Sequence, residues 1–94
     1  MLSFVWDEEK NKINVLKHGV SFQEAQTVFE DENAFFDPDH SDNEDRFILM
    51  GVSRELRLLV VCHCYREEGE QVRIISARKA TKKETSSYKE KNYA

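Results

Sequence analysis

The sequence predicts an α+β fold: two N-terminal helices packed on an antiparallel β-sheet, with a C-terminal helix. Three observations carry this. Helix signals crowd the first third of the chain. A run of short β-prone segments separated by turn residues then follows, the pattern of a strand meander and not of alternating β-α units. A polar segment with its own capping box closes the sequence.

The run LSFVW, residues 2–6, is apolar and β-prone and reads as the first strand. Asp7 then stands as an N-cap with acids in the following turn, and Gly19 sits where a glycine ends a helix. Ile13, Leu16 and Val20 lie at helical spacing and suggest the buried stripe of that helix. Ser21 followed by Glu24 forms a capping box for a second helix, whose stripe is Phe22, Ala25, Val28 and Phe29. Residues 34–36 make a short strand that opens into a turn-rich acidic loop. Strands are expected over residues 46–53, 56–66 and 71–77, with turns at Arg54–Glu55 and around Gly69. Thr81 and Glu84 cap the terminal helix, which is expected to fray from about residue 89. The first strand is expected to join the sheet beside a later one.

Ninety-four residues, 39% apolar and 34% charged, with three glycines and one proline, fit one domain over residues 1–94 with no long linker. No apolar run approaches the roughly 20 residues that span a membrane, and the N-terminus has no signal-peptide pattern, so a cytoplasmic location is expected. The net charge of −4 argues against a general nucleic-acid binder. Its distribution says more. Residues 1–45 hold 12 acids and 3 bases, and residues 46–94 hold 11 bases and 6 acids. That asymmetry fits either a polyanion-binding face or two solvated surfaces of opposite sign.

The stretch VVCHCYR, residues 60–66, holds both cysteines around a histidine. In a strand, side chains alternate between faces, so Cys62 and Cys64 share one face and His63 takes the other. The three cannot chelate one metal, and thiols about 6.8 Å apart along a strand are too distant for a disulfide. The cysteines read as small packing groups, and His63 as a structural histidine or a proton-exchanging one. The acidic loop, with Asp37, Asp39, Asp42 and Glu44, has the density of a divalent-cation site but lacks the EF-hand glycine and glutamate. No metal or cofactor is expected. Arg46, Arg57, Arg66, Arg73 and Arg78 are spread over three strands, where cations of neighbouring strands can converge on one groove that fits phosphate. Lys10 and Lys17 lie one heptad apart on the first helix, beside His18.

Taken together, the segments FVWDEEKNKINVLKHGVSFQEAQTVFED, DPDHSDNEDRFILMGVS, RLLVVCHCYRE and VRIISARKATKKE resemble BrnT-type toxins of bacterial type II toxin–antitoxin systems. The resemblance runs from about residue 4 to 88. It is carried by W-D-x-x-K with K-H-G-V-S-F, by E-x-R-F, and by R-I-I-S-A-R-K-A. It implies a RelE-like fold and a ribonuclease that arrests growth by blocking translation. It also implies a BrnA-like ribbon-helix-helix antitoxin as partner, in a complex where an antitoxin dimer joins two toxins. Where the family commonly has V-H-T-x-R, this chain has Cys64 in place of the threonine, a poorer hydrogen-bond partner.

Metal-independent RNA cleavage needs a base for the ribose 2′-OH, an acid for the leaving oxygen, and cations for the phosphorane charge. On the resemblance, His63 is the expected acid or base, Arg66 and Arg78 the phosphate clamps, and Arg46 a further cation held by Glu44. Lys10, Lys17, His18, Arg57, Cys64 and Ser76 are expected to bind substrate, with the helix residues alternatively contacting the antitoxin. Alternation sets Arg66 opposite His63, so a bulge or strand end near Tyr65 would have to turn it round. Two other classes compete: a non-catalytic module whose basic face docks an acidic partner, and a divalent-cation-dependent nuclease using the acidic loop.

Overall fold

A computed structural model describes residues 2–37 and 45–93. It is an α+β arrangement of five strands and three helices: β1 Ser3–Val5, α1 Glu8–His18, α2 Phe22–Gln26 running into a 3₁₀ turn at Thr27–Glu30, β2 Phe35–Phe36, β3 Phe47–Val52, β4 Leu58–Arg66, β5 Gln71–Lys79 and α3 Lys82–Tyr93. The strands form one sheet in the order β1-β5-β4-β3-β2. The sheet is mixed, not purely antiparallel, because β1 runs parallel to β5. The two helices between β1 and the meander bring the chain back to the same end of the sheet, so β1 can add to β5 only in the parallel sense.

The local signals work as their chemistry requires. Asp7 accepts hydrogen bonds from Glu9 N and Lys10 N, and Gly19 closes α1 in the left-handed conformation at φ 69°. Ser21 Oγ accepts from Glu24 N, so half of that capping box forms, while the Glu24 carboxylate is engaged elsewhere. In α3 both halves form: Glu84 N donates to Thr81 Oγ1 and Thr81 N donates to Glu84 Oε1. The β3–β4 turn is longer than two residues. Leu56, at φ 64° and 86% exposed, belongs to it, and β4 begins two residues later than expected.

The expected apolar stripe of α1 is reversed. Leu16 is 88% exposed and Ile13 is 57% exposed, and the buried side chains of α1 are Asn11 and Asn14. The cause lies at the sheet edge. β1 covers β5 only from Gln71 to Arg73, so the backbone of Ala77 has no strand partner on that side. The Asn14 amide takes that place: Ala77 N donates to Asn14 Oδ1 at 3.2 Å, and Asn14 Nδ2 donates to the carbonyls of Ala77 and Val20, each at 2.8 Å. One amide thus satisfies the buried backbone groups a missing strand would have paired.

Two clusters pack on opposite faces of the sheet. Val20, Phe22, Ala25 and Val28 pack on Leu49, Leu59, Val61, Val72, Ile74 and Ala77. On the other face Tyr88 of α3 packs with Met50 and Val60. Helices therefore lie on both faces of the sheet, with α3 on the second. Tyr88 anchors it, stacking on Phe35 at 6.1 Å and donating to Asp31 Oδ2 at 2.7 Å. No described helix is long and apolar enough to cross a membrane.

Candidate functional site

The β4–β5 pairing decides which side chains meet. Residues directly opposite in an antiparallel pair share a face. Val60 pairs with Arg78, Cys62 with Ser76, Cys64 with Arg73 and Arg66 with Gln71. All lie on the face where Tyr88 packs, and α3 covers only its Val60 end. Arg66 and Arg78 therefore share a face. Arg46, just before β3, lies close enough to act electrostatically on the Cys62 thiol.

A cavity of about 170 Å³ opens on this face, lined by His18, Ile48, Val60, Cys62, Ser76, Ala77 and Arg78. His18 reaches it because Asn14 draws α1 onto the edge of β5 and not onto the helix-covered face. The residues around it carry a cation, a hydroxyl, a thiol and an imidazole. Ser76 faces Cys62 across the β4–β5 pair. Burial pushes that thiol up from its ordinary value, against the opposing pull of Arg46 and Ser76, so it stays protonated at neutral pH.

Arg78 is held by Glu84 of α3 in a two-point pair, Nη1 to Oε1 at 2.7 Å and Nη2 to Oε2 at 2.9 Å. The guanidinium, with burial opposing and the Thr81 amide assisting, lowers the Glu84 carboxyl to about 2. Asp37 adds a longer-range attraction on Arg78. Glu84 therefore does two jobs, capping α3 and fixing the Arg78 fork. The sequence showed the first through the Thr81–Glu84 spacing and gave no sign of the second.

His63 is elsewhere. It is fully buried on the helix-covered face, with Phe29 at 4.9 Å, Tyr65 at 5.2 Å, and Phe36 and Phe47 each at 6.1 Å between ring centroids. Its Nδ1 lies 3.3 Å from the Val61 carbonyl and its Nε2 3.3 Å from the Tyr65 hydroxyl. Burial lowers its pKa despite the Val61 contact, so the ring is neutral at pH 7. The expected meeting of His63 with Arg66 and Arg78 at one phosphate does not occur, because alternation carries the ring through to the other side of the sheet. No irregularity in β4 turns Arg66 round; the register shift falls between Cys62 and His63, and the extra residue belongs to β5.

The remaining candidates divide. Cys64 and Arg66 line a shallow hollow with Asp45, Phe47 and Tyr65, further along β4 from the cavity. Arg57 is committed to structure: its guanidinium binds the Glu24 carboxylate and the Gly19 carbonyl, tying the β3–β4 turn to α2. Arg57 and Ser53 keep the buried Glu24 carboxylate ionised below its ordinary value despite burial. Lys10 and Lys17 are exposed on α1 and do not line the cavity. The Glu44 partner suggested for Arg46, and most of the acidic loop, lie outside the described residues. Among the described residues no cluster of His, Cys, Asp or Glu is arranged to hold a metal ion.

Fold and face together define a small α+β protein with Arg66, Arg73 and Arg78 gathered on one face of its sheet. The family described as the ribonuclease toxin BrnT of type II toxin–antitoxin systems matches residues 6–84. The chain belongs to that family. Its fold is similar to the 1.1 Å crystal structure of the Brucella abortus ribonuclease toxin BrnT, with a TM-score of 0.68 and 25% identity, over 87% of this chain and 100% of that one. No curated protein matches the chain.

Proposed function

We propose that this toxin is an endoribonuclease that works without a metal, binding the scissile phosphate on the open face of the sheet. Arg78 clamps the phosphate within the cavity. Arg46 and Arg66 extend the cationic field along the same face, and Ser76 supplies a hydroxyl donor. His18 is the imidazole at the cavity and the group best positioned to exchange a proton with the ribose 2′-OH or the leaving oxygen. Charge stabilisation by the arginines carries most of the catalytic load, because the phosphorane gains negative charge as it forms. His63 acts through packing: it fixes the strand that carries Cys62 and Cys64.

The same reading takes the fold as RelE-like, on the order of helices, meander and terminal helix. It places the protein in the cytoplasm, where a BrnA-like ribbon-helix-helix antitoxin neutralises it, a dimer of the antitoxin joining two toxins. The exposed α1 residues Lys10 and Lys17 are available to that partner.

The observation that carries the proposal is the convergence of Arg78, Ser76 and His18 on one cavity. Expression of Arg78→Gln and His18→Gln in cells, beside wild type, tests it. Both variants should restore growth while remaining folded by circular dichroism, and wild-type protein should cut purified RNA in the presence of EDTA. Full toxicity of both folded variants would remove the cavity as the site. Loss of cleavage in EDTA would favour a metal-dependent nuclease. Wild-type protein that leaves RNA intact, with and without ribosomes, would favour a non-catalytic binding module.

A further inference from the structure

The β4–β5 register shift has a consequence for Arg73. Arg73 and Arg78 are five residues apart, and in a regular strand such residues point to opposite faces. Here Cys62 pairs with Ser76 and His63 with Ile74, so Ile75 is an extra residue with no partner on β4. A bulge of this kind resets the alternation. Arg73 then pairs with Cys64, as Arg78 pairs with Val60, and both arginines stand on the open face. Without the extra residue, Arg73 would point into the apolar layer with Val72 or Ile74 in its place on the surface.

A second observation separates Arg73 from the arginines already paired with a carboxylate. Arg54 pairs with Glu30, Arg57 with Glu24 and Arg78 with Glu84. Arg73 has no carboxylate partner among the described residues, although it is half-buried. An arginine set on a sheet face by a bulge and left without a counter-ion is suited to an external anion.

We propose that Arg73 is a substrate-binding residue that holds a second phosphate of the RNA, next along the strand from the one clamped by Arg78. This rests on the reading of the open face as the RNA site. The attachment points of Arg78 and Arg73 face Val60 and Cys64, four residues or about 13 Å apart along β4. With Arg78 held at Glu84, that separation gives the two guanidiniums room to engage different phosphates of a chain lying along β4 and β5. Arg66, beyond Cys64 on the same face, continues the line. A cationic track of this kind binds single-stranded nucleic acid through its backbone.

The test uses the full chain and a short 2′-O-methyl RNA, which binds but cannot be cut through its 2′-oxygen. Affinity is measured by fluorescence anisotropy from about 50 to about 200 mM salt for wild type, Arg73→Gln, Arg73→Lys and the remote control Arg54→Gln. Arg73→Gln should weaken binding about tenfold and reduce the slope of log affinity against log salt by about 0.7, the share of one single-strand phosphate. Arg73→Lys should keep the slope, and Arg54→Gln should match wild type. Cleavage of a dinucleotide, which has a single phosphate, should be unchanged in Arg73→Gln while cleavage of longer RNA slows. If wild type binds and cuts RNA but folded Arg73→Gln has the same affinity and slope, the Arg73 assignment falls alone. A wild type that neither binds nor cuts RNA overturns it together with the reading of the face.

Discussion

Replacing His63 by phenylalanine separates a packing role from a chemical one. The imidazole is enclosed by Phe29, Phe36, Phe47 and Tyr65, and its two polar contacts are each 3.3 Å long, at the weak end of hydrogen bonding. An aromatic ring of similar shape preserves most of the burial, so the substitution should cost no more than about 1.5 kcal/mol. The pH dependence gives the sharper test. Burial holds the native pKa of His63 below its unfolded value. The unfolded chain therefore takes up a proton that the native protein refuses, and stability must fall as the pH drops below about 6.5. The loss deepens as the pH falls until the native ring itself takes up the proton, and it reads as a falling melting temperature across that window. Thermal unfolding followed by circular dichroism at three pH values across this window should show the loss in wild type and a much flatter response in His63→Phe. The variant should also remain toxic. An unchanged pH response would refute the buried neutral imidazole, and a folded, non-toxic His63→Phe would return His63 to the chemistry.

Three further outcomes follow from particular contacts. Asn14→Leu removes the amide that pairs with Ala77 and Val20 and should cost about 2–4 kcal/mol by urea denaturation, because three backbone groups lose their partner; a cost below about 1 kcal/mol would mean that water replaces the amide. Gly51→Ala should destabilise by about 1–3 kcal/mol in the same assay, since the added Cβ would lie 2.7 Å from Ala34 Cβ and 3.0 Å from Val28 Cγ1; a neutral result would show that the β2 segment shifts at no cost. Glu84→Gln should flatten acid unfolding, because the native carboxyl titrates at about 2: its stabilisation is present above about pH 4.5 and is lost as the pH falls toward 2. Acid-unfolding curves of the two proteins that superimpose would exclude the Arg78–Glu84 pair as a contributor.

What the sequence revealed depended on whether a signal was local. Caps at Asp7, Ser21 and Thr81 are complete within a few residues, so the helix starts could be read directly. Strand periodicity in β4 correctly split Cys62 and Cys64 from His63. The α1 stripe misled because apolar spacing carries no information about partners. The sheet edge at Ala77 needed an amide more than a leucine, and that need arises from β5, 63 residues away. In the same way, nothing local to β5 announces that Ile75 is an extra residue. The bulge exists only relative to β4, and with it the face on which Arg73 stands. The expectation that strand arginines converge on one groove came from composition; which of them do so came from register. Arg57 looked like the others in sequence, and only its position under Glu24 distinguishes it.

The net charge of −4 seemed to argue against a polyanion ligand, and the structure shows why the sum is the wrong quantity. The molecule extends 36 × 31 × 27 Å, whereas charges in physiological salt are screened over about 8 Å. An anion at the cavity therefore responds to Arg78, Arg46 and their near neighbours and hardly at all to the acids of α1. Among the described residues, the acids that act on Arg78 are Glu84, already matched to it, and Asp37 at longer range. A phosphate need not displace Glu84 to gain from Arg78, because the pair occupies one edge of a planar fork that has five N–H donors. The acid that holds the fork in place thus leaves its remaining N–H donors free to meet a second anion.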